Sequence, residues 1–491
     1  MLFIRDVNSR LQFLWGLFGS ILFLVLLGYS VRAEAPSTYY IDGCKGTDKD
    51  NGMSKETAWK TISRVNDGDL STGDDVRFKR GCEYSDAPLK LDWSGTPQNR
   101  VIIGTYGAGE KPYFAYPGHA PVRSWGGRTA KAHITLQNLQ IHVSKGSGIE
   151  IGSDNGFFQD IRIRRVDITG AKGVNNGILL QTIDHYKVSH CTIQNIPNCG
   201  IAIIGTSDHP IKNGAIRNNV IHDIWNNDGI TLHKGGGGED IGSNHLVEEN
   251  ELYDCEEQGL DITSGTNIRA IDNETYKNGD SGVLVAHQTS KVLLHRHYSH
   301  NENGMGIIIG PSSKVRLSSS VIENPSYHPL RINGATNAEI YHITVAIGPA
   351  TEGSAIDIEG DSSGITFQNN VIASMVAEKP GHFVRFLSGN TAANTETNLS
   401  NNLWWRPDSD VRFYDEKEGS MSFDEFRATY KQGKGSLLAD PLFKSTETVS
   451  LRPSKHSPAV EAGVHVDVEV DIEGNPFSRG TRPTIGALSA D

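Results

Sequence analysis

The sequence predicts an all-β fold: a parallel β-helix in which similar short strands return once per coil. Three observations carry this. A glycine followed by apolar–x–apolar recurs at Gly148, Gly177, Gly200, Gly229, Gly259, Gly282 and Gly306, spaced by roughly 23 to 30 residues, the range of solenoid repeats. Each copy is too short for a helix and alternates with period two, as a strand with one buried and one exposed face does. Weaker copies continue the series at Leu330-Arg331-Ile332, Ile356-Asp357-Ile358 and Val384-Arg385-Phe386. One copy cannot bury its apolar face alone, whereas a stack of roughly ten coils buries a continuous core.

Bulk composition agrees. With 53 glycines in 491 residues and 37% apolar content, the chain suits frequent turns around a narrow core. Length alone would suggest several domains, but a solenoid grows by adding coils. A net charge of −12 without a long basic run argues against nucleic acid as a partner.

In chain order, residues 1–33 read as a signal peptide or membrane anchor. Arg5 and Arg10 precede an apolar run from Leu14 to Leu27, and Val31-Arg32-Ala33 offers small residues before a cut. The run is also long enough to keep an uncleaved anchor open. The folded part is expected outside the cytoplasm, secreted or periplasmic, touching a membrane only through that leader. Residues 34–130 form an N-terminal cap and first coils. A strand at Tyr39-Tyr40-Ile41-Asp42 is followed by a short helix beginning at Thr57 and ending near Asn66, which covers the first coil, since a terminal repeat needs a cap. Val76-Arg77-Phe78-Lys79 and Val101-Ile102-Ile103 read as strands. Cys44 and Cys82 lie in this irregular region and form the pair to test for a disulfide in an oxidising compartment. Cys191 falls at an inward position and is expected as a buried thiol, and no zinc spacing is present.

Residues 131–405 form the β-helix core. A second ladder accompanies the first there, at Ile134-Thr135-Leu136, Ile216-Arg217-Asn218-Asn219-Val220-Ile221 and Phe367-Gln368-Asn369-Asn370-Val371-Ile372. Asn219, Asn250 and Asn273 take equivalent places in consecutive coils, where stacked amides hydrogen-bond along the axis. The paired asparagines also supply left-handed turns. Residues 406–491, rich in Pro and Gly, form an irregular C-terminal cap packed along the outside of the coils.

Alignment of the first ladder on its glycine places residues one and three after it inward, and two and four after it on one outer face. Early coils present bland residues there, such as Leu179 and Ala202. The middle coils change character: Asp228, His233 and Lys234, then Glu256, Glu257, Asp261 and Ser264, then Asp280 and His287, then Arg331 and Asn333, then Asp357 and Glu359. At about 4.8 Å per coil this charged stretch spans about 20 to 25 Å, enough for several sugar units. Two chemistries fit. In β-elimination, Ca²⁺ held by carboxylates neutralises a uronate while a base removes the α proton. Asp228, Glu257, Asp261 and Asp280 are the candidate metal ligands; Lys234, His233 and His287 are candidate bases. Arg331 is a candidate clamp on a substrate carboxylate, with Asn333, Asp357 and Glu359 as further substrate contacts. In hydrolysis two carboxylates suffice, such as Asp261 with Asp228 or Asp357 with Glu359. Arg331 and Asp357 are also placed to pair with each other across coils. The loop Gly235 to Ser243 lengthens its coil, as function-bearing insertions do.

With these residues in view, the chain resembles the secreted right-handed β-helix proteins of the pectate-lyase superfamily. The opening Tyr39-Tyr40-Ile41-Asp42 with Ala58-Trp59-Lys60-Thr61-Ile62, then Phe78-Lys79-Arg80-Gly81 and Gly104-Thr105-Tyr106-Gly107, and the closing Ala439-Asp440-Pro441-Leu442-Phe443 and Ile485-Gly486-Ala487 carry the resemblance. The nearest catalytic analogy is the family 9 polysaccharide lyases, where carboxylates on adjacent coils bind Ca²⁺ and a lysine is the base. Glu257-Gln258-Gly259-Leu260-Asp261 is similar to the acidic stretch there, with Gln258 in place of an acid. The resemblance implies a right-handed helix, export, and a monomer acting with Ca²⁺ on an acidic polysaccharide by β-elimination. A glycoside hydrolase, a uronan C5-epimerase and a non-catalytic polysaccharide-binding solenoid remain as alternatives.

Overall fold

The computed structural model describes residues 36–125, 131–152, 158–171, 173–205, 209–234, 242–392, 395–407, 410–444, 451–477 and 482–490. The leader expected over residues 1–33 lies outside them. No helix among the described residues is long and apolar enough to cross a membrane.

The chain winds through three sheets, here A, B and C in the order each coil meets them. One coil runs Ala132–Gln137 in sheet A, Gln140–Val143 in sheet B and Ile149–Gly152 in sheet C, and the next begins at Phe158–Arg164 in sheet A. Among the described residues each sheet carries 14 strands. The stack is thus longer than the ten coils expected, because segments as early as Thr38–Ile41 and as late as Leu437–Leu438 join it. Strand pairing is parallel, except for a final antiparallel pair of Arg412–Asp415 with Gly419–Ser422.

The period-two pattern works as expected. Ile149, Ile178, Ile201, Ile230, Leu260 and Val283 are register partners in sheet C and are fully buried. A side chain of this size contributes about 1.5–3 kcal/mol when taken from water, so each coil adds its increment to one uninterrupted core. The glycine that opens each copy has a steric cause. A Cβ at Gly200 would stand 2.4 Å from Ile221 Cγ2 and 2.6 Å from the Gly229 carbonyl oxygen, and one at Gly229 would stand 2.6 Å from the Gly259 oxygen.

The bend from sheet A to sheet B turns on a left-handed residue. Asn218 (φ 52°) and Asn369 (φ 60°) hold this place, but so do Arg165, Glu249, Asp272 and His342, so the place is broader than asparagine. The residue after it builds the amide ladder. Asn219 Nδ2 donates to Asn250 Oδ1 at 2.9 Å, and Asn250 Nδ2 to Asn273 Oδ1 at 2.9 Å. All three side chains are buried. Asn370 and Asn402 repeat the arrangement further along.

Both ends differ from expectation in detail. The first helix, α1, covers Ile62–Asn66 and not the run from Thr57. Trp59 donates its N–H to the Tyr40 oxygen and accepts at its own oxygen from Asp42 N–H, which draws residues before Thr61 into extended pairing. The Thr61 hydroxyl then caps the helix by accepting from Arg64 N–H. Cys44 and Cys82 are joined in a disulfide, and Cys191 is a buried free thiol. At the far end a second helix, α2 (Phe423–Tyr430), closes the core, with Phe426 stacked on Phe413 at 4.7 Å between ring centres. Its Ser422 and Glu425 form a reciprocal capping box, a pattern present in the sequence but not recognised above. The chain then turns back along the outer face of sheet B. Leu451, Ala487 and Leu488 pack on Val321 and Ala346, while Ala459 and Ile485 pack on Val371, Ala373 and Leu403.

Candidate functional site

Sheet C presents one outward row along its length. Thr231, Asp261, Leu284, Ile308, Arg331, Asp357 and Arg385 are successive register partners. Residues of like place in different coils therefore do share one wall.

The row is fed by the turn from sheet B to sheet C, and the turns stack as closely as the strands. Glu257 N–H donates to the Asn227 oxygen at 3.3 Å and Asp280 N–H to the Glu257 oxygen at 3.0 Å. This stacking brings Glu257 and Asp280 together at one rim of the sheet, beside Asp261 at the head of the row. Asp261 is held in place by hydroxyls: Thr231 Oγ1 donates to Oδ2 at 3.2 Å, and Thr263 Oγ1 donates to Oδ1. Gln258 Nε2 donates to Asp280 Oδ2 at 2.6 Å. Glu257 is exposed, yet partial burial and the negative charges of Asp280, Asp261 and Glu256 raise its pKa above the usual glutamate value. These three carboxyl groups are drawn from two consecutive coils.

Other predicted residues fall elsewhere. Asp228 is 2% exposed and its carboxylate accepts the Gln258 N–H at 3.1 Å, which ties it to the next coil's backbone. His287 follows the strand Ser281–Ala286, whereas Asp280 precedes it. A six-residue strand of about 3.3 Å per residue separates them, close to 20 Å, so His287 belongs to the opposite rim. His233 and Lys234 end the strand Ile230–Lys234, also on that far rim; their side chains lie outside the described residues, as do residues 235–241 of the expected loop. Arg331 does not pair with Asp357. It bonds Glu359, two positions on in the next coil, and Asp357 pairs instead with Arg385 at 2.5 Å. Asn333 lies in register with Glu359.

Asp357 anchors a second constellation missed in the sequence. His328 Nε2 lies 3.4 Å from Asp357 Oδ2, Ser354 Oγ donates to Asp357 Oδ1, and Arg385 Nε donates to the same oxygen at 2.9 Å. Arg385 sits in the weak ladder copy Val384-Arg385-Phe386, so its outward place was legible. His328 and Ser354 come from turns with no repeating signature. His328, Ser354 and Asp357 are all buried, which makes the group a brace for the row more than an open reactive centre.

Among the described residues, one group of three His, Cys, Asp or Glu side chains brings its ligand atoms within 4.8 Å: Asp42, Cys44 and Cys82, whose sulfurs are consumed by the disulfide. Glu257, Asp261 and Asp280 are close enough for mutual repulsion, with their carboxylate oxygens not gathered within that distance.

Comparison with known proteins then identifies the architecture. Residues 176–372 match the family model described as a right handed beta helix region. The chain is a right-handed parallel β-helix. A lacto-N-biosidase of Bifidobacterium longum is 22% identical over 342 residues, covering 61% of this chain and 20% of that protein; the chain thus spans about one fifth of that relative's length. Among solved structures, a lacto-N-biosidase from Eubacterium ramulus is 15% identical with a TM-score of 0.39, covering 75% of this chain and 68% of that one. A pectate lyase is 12% identical with a TM-score of 0.45, covering 94% and 98%. A mannuronan C-5 epimerase module from Azotobacter vinelandii is 15% identical with a TM-score of 0.40, covering 68% and 87%. These relatives are carbohydrate-active enzymes.

Proposed function

We propose that the protein is a glycoside hydrolase that cleaves a neutral glycan on the wall of sheet C, with Glu257 as general acid and Asp261 as the second carboxyl group. The observation that carries this is the carboxyl cluster of Glu257, Asp261 and Asp280 at one rim of the sheet. Glu257 is pushed toward its protonated form by partial burial and by the charges of Asp280 and Asp261, while Asp261 is oriented by two hydroxyl hydrogen bonds. Two neighbouring carboxyl groups, one of them inclined to hold its proton, are what glycosidic bond cleavage needs, one to protonate the leaving oxygen and one to act as base or nucleophile. The groove's charge supports a neutral substrate. Among the described residues, Arg331 is engaged by Glu359 and Arg385 by Asp357, which leaves the acidic rim without a matching cation. The sequence likeness to a lacto-N-biosidase points the same way.

Ca²⁺-assisted elimination on an acidic polysaccharide is the second reading, favoured by the mutual repulsion of Glu257, Asp261 and Asp280, which a divalent cation would relieve. One experiment separates them. The protein is incubated with neutral and uronic-acid glycans, with Ca²⁺ or with EDTA, and products are followed as new reducing ends and as unsaturated-product absorbance. Hydrolysis yields reducing ends without unsaturation, is indifferent to EDTA, and is abolished in Glu257→Gln and Asp261→Asn. An unsaturated product that disappears with EDTA would replace hydrolysis by elimination, and no product from any glycan would remove both.

A further inference from the structure

We infer that Trp225 and Tyr327 are the two ends of the glycan track: aromatic platforms that stack on pyranose rings on either side of the Glu257–Asp280 rim and set the length of chain the site prefers. The inference rests on the glycan-cleaving reading above and adds its binding residues.

Five large apolar side chains stand exposed among the described residues, and two are aromatic: Trp225 at 37% and Tyr327 at 46%. Both occupy the same structural place, the turn from sheet B to sheet C. Trp225 follows the strand Val220–Ile224 and precedes Ile230–Lys234. Tyr327 follows Val321–Glu323 and precedes Leu330–Asn333. The turns that carry Glu257 and Asp280 lie between them. Four strand steps separate the two rings, about 19 Å at about 4.8 Å each, which suits several sugar units.

Both rings are mounted on hydrogen-bonded backbone. Trp225 N–H donates to the Ile196 oxygen at 3.0 Å and Tyr327 N–H to the Gly304 oxygen at 3.0 Å. Tyr327 is steadied by the edge of His328, with ring centres 4.5 Å apart and planes at 73°, and His328 Nε2 in turn lies 3.4 Å from Asp357 Oδ2 on the outward row. Tyr327 therefore stands beside the row that also carries Asp261. Aromatic rings elsewhere in the solenoid consume their faces on one another: His222, Tyr253 and Tyr276 stack at 4.7 and 4.6 Å. No such ring partner is seen for Trp225 among the described residues. A rigid aromatic with an apolar body and a polar tip is suited to a ligand whose faces are C–H and whose edges are hydroxyl.

The test uses the full chain and neutral oligosaccharides of graded length. In wild type, KM falls as the oligosaccharide lengthens, until it spans both rings. Trp225→Ala and Tyr327→Ala each raise KM for the longest oligosaccharides roughly tenfold, the order of one lost aromatic contact, with kcat changed less than twofold. The double variant loses the length dependence. In the Asp261→Asn background, the long oligosaccharide shifts tryptophan emission, and Trp225→Phe removes that shift. If wild type cleaves a glycan and both variants keep its KM and its length dependence, the two rings are not platforms and the hydrolase reading stands. If wild type neither cleaves any glycan nor shows the emission change, the inference falls together with the reading beneath it.

Discussion

Glu302 offers a sharp test of the packing reasoning. It lies in the turn after Tyr298–His300, 1% exposed, one coil beyond Asp280. Asn278 donates to its Oε2 from the backbone at 2.8 Å and from the side chain at 3.1 Å, and Ser299 Oγ donates to Oε1 at 3.1 Å. These bonds favour the carboxylate, but burial outweighs them and pushes the group from 4.5 up to about 8. The folded-state value lies above the unfolded one, so stability from this group is complete below about pH 4.5 and is lost as pH rises through about 8. At 1.36 kcal/mol per pH unit, the full loss is about 5 kcal/mol, of which about 3 kcal/mol has gone by pH 7. Gln at this position mimics the neutral acid. Its carbonyl oxygen can face Asn278 while its amide donates to Ser299, which can turn its hydroxyl. Denaturant titrations of wild type and Glu302→Gln from pH 5 to pH 9 should therefore nearly coincide at the acid end and diverge upward. At pH 9 the variant should be the more stable by several kcal/mol. Equal slopes of stability against pH in the two proteins would refute the claim that the turn holds a neutral acid.

Other outcomes are expected from the same structure. Asn250→Ala breaks the amide ladder at its centre and leaves buried partners on Asn219 and Asn273 unmatched; a loss of about 3 kcal/mol is expected by chemical denaturation, against little change for a surface asparagine such as Asn303. Asp357→Ala leaves Arg385 and His328 without their shared carboxylate, and should cost about 3 kcal/mol while Arg385→Met restores part of it. Ser422→Ala removes the capping box of α2 and should cost about 1 kcal/mol, read as a lower thermal midpoint.

Much of the architecture was written in the chain because a solenoid repeats its physics. Ile178, Ile201 and Ile230 each solve the same local problem, so period and register show in a single sequence. The Asn219–Asn250–Asn273 ladder was visible for the same reason. What did not repeat was harder to read. Asp228 directly precedes Gly229, whereas Asp280 stands one place earlier in its turn, before Ser281 and Gly282; Asp228 accepts the Gln258 N–H and Asp280 accepts from the Gln258 side chain, so two nearby acids of one rim hold different backbone places. Arg331 stands in register beside Asp357, but guanidinium reach lets it bond Glu359 two residues further along. His287 and Asp280 are close in the chain, although a whole strand lies between them. Helix α2 shows the reverse case: Ser422 and Glu425 declare its start, but its period of 3.6 lies outside the period-two ladder that dominates the chain.

The tail that lies on sheet B has a consequence for how the molecule is made. Asn369 exchanges hydrogen bonds with Val464, and Thr344 accepts from Ala487, 95 and 143 residues further along the chain, so the tail fastens coils that were wound long before it. Winding can proceed coil by coil, but the clasp arrives only after residues 451–488 have been made. Until then the coils around Val321, Val371 and Leu403 present an apolar seam to the surroundings, and a chain cut before Leu451 would leave that seam open.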